Sequence, residues 1–146
     1  MSWKFLEDQQ PELAAFGVER LNGKVAYLAT IRKDGSPRVH PMTPIIGDGH
    51  LFVFMELTSP KGRDLQRDGH YAIHCSVSDT SGTSGEFIVS GQAHLVDDLQ
   101  ARAVAVRLAS YAPADRYILF EFDVESAAST MYPADRPIRQ NWKRDS

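Results

Sequence analysis

Residues 36–45, SPRVHPMTPI, decide how the rest of the chain is read. Val39, Pro41, Thr43 and Ile45 alternate with Arg38, His40, Met42 and Pro44, the period of two that marks a β-strand. Yet Pro37, Pro41 and Pro44 each lack the N–H that a central strand gives to its ladder. The flanking segments fit a sheet. KVAYLATIR (24–32) is rich in strand formers and carries apolar residues in both alternating sets, so it predicts a strand buried on both sides. KDGS (33–36) is a hairpin turn whose Asp-Gly pair supplies positive φ. A second turn, GDGH (47–50), leads into LFVFMEL (51–57). Three strands joined by tight turns predict an antiparallel meander.

Helix signals punctuate the sheet. QQPELAAFGVERLNG (9–23) has Pro11 at a helix start, an apolar face through Leu13, Phe16, Val18 and Leu21, and a closing Gly23. TSPKGRDLQRDGH (58–70) sets Pro60 behind Thr58 and Ser59 and ends near Gly69, predicting a short helix. DDLQARAVAVRLAS (97–110) opens on two acids and repeats apolar residues at 99, 103 and 106, a third helix. YAIHCSVSD (71–79), EFIVSGQAHLV (86–96) and YILFEFDVESAAST (117–130) read as strands. The tail MYPADRPIRQNWKRDS shows no periodicity. Six strands with three short helices and no βαβ repeat predict a mainly β fold, a six-stranded antiparallel barrel in a single domain over 1–146.

Composition narrows the function classes. The 146 residues carry a net charge of -3, against a basic nucleic-acid footprint. A single cysteine, Cys75, precludes an internal disulfide and a thiolate metal cluster. The first 16 residues mix charges among apolar residues and lack a signal-peptide core, and no apolar run reaches membrane-span length. The expectation is a soluble, cytoplasmic protein with neither membrane nor nucleic acid as partner.

Several residues suggest chemistry. TSPK (58–61) combines hydroxyls, helix N-terminal amides and Lys61, the makings of a phosphate cradle, although alone it also describes a capped helix with a solvated lysine. Arg38 and His40 share one strand face with Met42. On a groove they would offer an anion-binding guanidinium and a proton-transfer group, and on an exposed edge they would simply deter pairing. His70 and His74 have a ligand spacing but no evident third partner, so no metal site is expected. SGTSGE places Glu86 where a hydrolase elbow needs glycine.

In order and spacing, VAYLATIRKDGSPRVHPMTPIIGDGHLFVF, TSPKGRDLQRDGHYAIHCSV and GEFIVSGQAHLVDD resemble the pyridoxamine 5'-phosphate oxidase-like family of flavin-binding split barrels over roughly residues 10 to 125. The resemblance implies a six-stranded split barrel, a homodimer, and FMN in the groove between subunits. It implies that the proline-rich strand meets the flavin, its fixed φ stiffening that wall before the ligand arrives. Arg38 and Val39 match the start of the family's flavin-contacting strand, and Thr43 stands where its lysine usually is. Ser59 and Lys61 match a Ser-Arg-Lys phosphate motif in which Pro60 replaces the arginine. Glu86 falls near a glutamine that reaches the cofactor from the neighbouring subunit, and Trp142 corresponds to a late tryptophan beside the flavin. His40 is the candidate catalytic group.

The function so implied is flavin-mediated hydride or electron transfer on a small substrate. With cations missing at 43 and 60, deazaflavin and haem stay open as cofactors, including in a protein without turnover. True pyridoxamine 5'-phosphate oxidases use a C-terminal Arg-x-His pair, whereas here no histidine follows His94, although Arg136, Arg139 and Arg144 remain as anion binders. Efficient oxidation of pyridoxamine 5'-phosphate is therefore not expected.

Overall fold

The structure, a computed structural model, describes residues 2–133 and 136–145. Its elements run α1 (Trp3–Gln9), α2 (Pro11–Leu21), β1 (Ala26–Ile31), β2 (Pro37–Met42), β3 (Ile45–Gly47), β4 (His50–Met55), α3 (Pro60–Arg67), β5 (His70–Cys75), β6 (Glu86–Val96), α4 (Leu99–Leu108), β7 (Ile118–Met131) and β8 (Ile138–Lys143). The class is mainly β with short helices, as the sequence predicts, but with eight strands rather than six. The proline-rich segment divides into β2 and β3. The tail contributes β8, which pairs antiparallel with β7 from Ser126↔Lys143 to Met131↔Ile138.

The strand order is β2-β1-β5-β6-β7-β4-β3, with β8 branching from β7, and the neighbouring strands pair antiparallel. This corrects the meander. β1–β2 and β3–β4 are hairpins, but they lie at opposite ends of the strand order, and Thr43 and Pro44 alone carry the chain between them. β2 is therefore an edge strand paired only with β1. Pro37 and Pro41 are four residues apart, so their missing donors fall on the same side of the strand. An edge strand has one side with no neighbour to bond, and there prolines cost nothing. Pro44 sits in the split itself, buried, its carbonyl accepting from Gly23 N at 2.9 Å. Both hairpin turns form as read: Gly35 has φ 88°, and Asp48 and Gly49 have φ 51° and 81°.

The interior explains the apolar runs. In β4, Leu51, Val53 and Met55 face the main core, while Phe52 and Phe54 pack with Ile45, Leu119 and Ala105 of α4. Both faces of β4 are thus covered within one chain. β1 differs from the expectation of two buried faces: Ala26, Leu28 and Thr30 are buried, while Tyr27 is 44% exposed. α1, which lacks a clear sequence pattern, docks through buried Trp3 and Leu6. Trp3 and Phe16 each meet the Phe87 ring edge-on with centroids 6.2 Å away. Gly17 makes that approach possible, since a Cβ there would lie 2.5 Å from Phe87. No described helix is long and apolar enough to cross a membrane.

Candidate functional site: two pockets flanking the start of α3

The site is organised by the N-terminus of α3. Pro60 occupies the first helical turn, and Ser59 caps it, its Oγ accepting from Gly62 N at 3.1 Å. Gly62 is small because a Cβ there would fall 2.9 Å from that Oγ. Lys61, next to the cap, is half-buried, and burial pulls its ammonium below the ordinary lysine value. Among the described residues it has no ion-pair or hydrogen-bond partner. A desolvated cation without a counter-charge is costly, and an anionic ligand would relieve it.

Lys61 lines a pocket of about 390 Å³. Its lining joins Pro41, Met42 and Thr43, at the split end of β2, to Phe54 and Met55 of β4, to Glu56 just after it, and to Tyr111 and Tyr117. Arg102 braces this lining: its guanidinium lies 5.1 Å from the Phe54 ring centroid and donates to the Tyr117 carbonyl at 2.7 Å. Arg116 forks onto Glu56 at 2.8 Å and covers the Tyr117 ring at 5.2 Å. Burial raises the Tyr111 phenol above its usual value.

A second pocket of about 620 Å³ includes Pro60, Arg38 and Asp64 in its lining. Asp64 is buried and receives Thr30 Oγ1 at 2.7 Å, Arg38 Nε at 2.7 Å and Arg67 Nη2 at 2.9 Å. Burial alone would raise its carboxyl. Hydrogen bonds from Arg38, Thr30 and Arg67, with the Arg38 charge, outweigh that and hold it below the ordinary carboxylate range.

The sequence-derived candidates divide accordingly. Thr43 and Lys61 share the first pocket, with Ser59 capping the helix between the two pockets, and Arg38 lines the second. His40 lies between Arg38 and Met42 on the same face of β2, opposite Leu28, and its Nδ1 is buried without a partner. Val39 points the other way and is 64% exposed. Glu86 opens β6 and accepts from the Tyr132 hydroxyl at 3.2 Å. Trp142 is buried in β8, donating to Gln9 Oε1 at 2.7 Å. Among the described residues no His, Cys, Asp and Glu group could hold a metal ion. Tyr111, Tyr117 and Asp64 escaped the sequence reading, because nothing local marks a residue whose role depends on what the fold brings opposite it.

Val39 belongs to the outer face of the sheet. Cross-strand partners Val39, Ala29, Ala72, Ser90 and Ser126 form one row, and Pro41, Tyr27, His74, Ile88 and Ala128 the next. Ten residues in two rows across five strands include no carboxylate, lysine or arginine, and the first charge met is Lys143 of β8, beside Ser126 at the end of the first row. Trp142 reaches this region too, lining a 540 Å³ hollow with Ile88, Ser90 and Ser126.

Comparison with known proteins agrees with this architecture. The family model described as pyridoxamine 5'-phosphate oxidase matches residues 11–130. A haem-binding protein from Mycobacterium smegmatis superposes with a TM-score of 0.69 at 19% identity, covering 88% of this chain and 56% of that one. PhzG from Burkholderia lata 383, in complex with tetrahydrophenazine-1-carboxylic acid, gives 0.67 at 20% identity over 96% of this chain and 86% of that one. A Clostridium acetobutylicum protein related to general stress protein 26 of B. subtilis, of the pyridoxinephosphate oxidase family, gives 0.62 at 15% identity over 98% and 96%. No curated protein matches the sequence. At such identities the likeness to these structures is one of fold.

Proposed function

The chain belongs to the pyridoxamine 5'-phosphate oxidase family, and from that premise we propose that it is a homodimeric, FMN-binding oxidoreductase acting on a small molecule. The observation that carries this reading is Lys61, a half-buried ammonium without a partner beside a capped helix start. That arrangement fits a phosphate monoester.

In this reading Lys61, with its side chain and its main-chain amide, and the Ser59 hydroxyl hold the phosphate, the Gly62 and Arg63 amides being taken up by Ser59, and Arg38 adds charge from across the helix start. Thr43 and the main chain of β2 border the flavin, on a wall that Pro41 and Pro44 keep rigid. Val39 and the two charge-poor rows of the outer face pack against a second copy. Glu86 of the partner subunit then approaches the cofactor, while the Trp142 ring stays in the core beneath that surface. FMN, when bound, supplies the hydride or electron transfer. In this reading His40 is the proton-handling group, and its buried Nδ1 without a partner supports that role. Tyr111, Tyr117 and Phe54 give the first pocket its aromatic lining.

Haem is the second reading. A protein of similar fold binds haem, and His40 offers a ring nitrogen without a partner. Absorbance separates the two, since haem gives a Soret band and flavin absorbs in the blue. The test of the FMN reading is fluorescence titration of Lys61→Ala. Loss of one charge-assisted hydrogen bond weakens binding by about 1.5–3 kcal/mol, roughly 10- to 100-fold. An unchanged dissociation constant would remove Lys61 from the site.

A further inference from the structure

The Lys61 pocket carries one charge of each sign, and the two do not meet. Among the described residues that line it, Lys61 is the one cation and Glu56 the one carboxylate. Their main chains are held close together. Ser59 N donates to the Glu56 carbonyl at 3.1 Å, folding 56–59 into a turn, and a Cβ on Gly62 would stand 3.6 Å from that same carbonyl. An ammonium on a flexible four-carbon stem readily finds a neighbouring carboxylate. Yet among the described residues Lys61 has no partner, and no carboxylate offsets the burial that depresses its ammonium.

Glu56 is occupied from another side. Arg116 Nε donates to Oε1 and Oε2 at 3.0 and 3.3 Å, and its Nη2 donates to Oε1 at 2.8 Å, so both carboxylate oxygens face one guanidinium. Arg116 also lies 5.2 Å from the Tyr117 ring centroid. The turn that carries it is clamped by Arg102, which donates to the Ala114, Asp115 and Tyr117 carbonyls at 3.3, 3.2 and 2.7 Å. Tyr117 N closes that turn on the Ala114 carbonyl at 3.0 Å. The fork therefore reaches Glu56 from a fixed backbone. The Arg116 and Glu56 side chains are 68% and 44% exposed, so their pairing adds little to folding stability. Its consequence is local, in deciding which cation Glu56 serves.

We infer that Arg116 is a positioning residue that holds Glu56 away from Lys61 and so keeps the pocket's ammonium open to an anionic ligand. Without Arg116, Glu56 turns to Lys61 and competes with an incoming phosphate. A tethered carboxylate is a strong competitor, because its effective concentration is high. The inference rests on Lys61 as the phosphate cation of the proposed FMN site, and it concerns two residues to which that reading gives no role.

Two readouts on Arg116→Ala, Glu56→Gln and the double variant test it. Without ligand, heteronuclear NMR of the Lys61 side chain should show its titration midpoint rising in Arg116→Ala. With ligand, fluorescence titration should show FMN weakened about three- to fivefold, the range of a half-exposed ion pair, and riboflavin unchanged. Both effects of Arg116→Ala should vanish in the Glu56→Gln background, where the amide cannot pair with the ammonium. Equal weakening of FMN and riboflavin would make Arg116 a mere support of the Tyr117 ring. Effects undiminished by Glu56→Gln would make it a simple source of positive charge. Either result, or a Lys61 midpoint that stays put in Arg116→Ala, would overturn the inference. If Lys61→Ala weakens FMN while Arg116→Ala does not, the inference falls and the flavin reading stands. If FMN fails to bind but the Lys61 midpoint rises only where Glu56 is present, the flavin reading falls and Arg116 keeps its role.

Discussion

Asp64→Ala is the substitution that most sharply probes the centre of the site. It deletes the acceptor of three donors, from Thr30, Arg38 and Arg67. The Arg67 side chain is 38% exposed, so its share is largely replaced by water. Thr30 is buried and the Arg38 side chain only 22% exposed, so each loses a hydrogen bond to a charged group, about 1.5 kcal/mol or more apiece. The expected cost is about 3–4 kcal/mol. At roughly 4 °C per kcal/mol for a chain of this size, Tm should fall by about 12–16 °C. Urea unfolding followed by circular dichroism gives the free energy directly, and Thr30→Val combined with Asp64→Ala should cost less than the sum of the two. A loss below about 1 kcal/mol, or strict additivity, would refute the claim that Asp64 clamps Arg38.

Asp64 titrates below the ordinary carboxylate value, so its stabilisation is present above about pH 4 and drains away as pH falls through its folded value. Asp64→Asn should flatten that acid limb in a pH series of urea midpoints. Burial depresses Lys61, so FMN affinity should decline with rising pH before the ordinary lysine value of about 10.4, and a flat titration to that pH would count against Lys61 as the phosphate cation. Ala72→Arg, placed mid-face on the outer surface, should yield a monomer by light scattering with weakened FMN binding; an intact dimer would move the interface elsewhere. Turnover of pyridoxine or pyridoxamine 5'-phosphate by FMN-loaded protein should stay below about 1 per second, and a faster rate would show that the tail histidine is dispensable.

Local chemistry made much of the fold legible. Asp-Gly in KDGS and GDGH fixed both hairpins, and Pro11, Pro60 and Asp98 marked helix starts that the structure keeps. Pairing order was not legible, because Thr43 and Pro44 look like a strand interior until the sheet is seen to end on either side of them. β8 was missed for a related reason. Its single buried residue, Trp142, packs from a strand whose other positions are exposed, and that yields no alternation to read. The phosphate-like cradle at Ser59 and Lys61 was visible as a local motif. The Asp64 clamp was not, since it joins residues 26 and 34 positions apart.

FMN binding is the central claim, and comparing FMN with riboflavin tests it most directly. Titrated into the wild-type protein and followed by flavin fluorescence, FMN should saturate at one per protomer with a dissociation constant in the micromolar range or below, about -8 kcal/mol or stronger. Riboflavin, which lacks the phosphate, should bind at least about tenfold more weakly, and Lys61→Ala should narrow that gap. Failure of FMN to bind at about 100 μM, or equal affinity for the two flavins, would contradict the account.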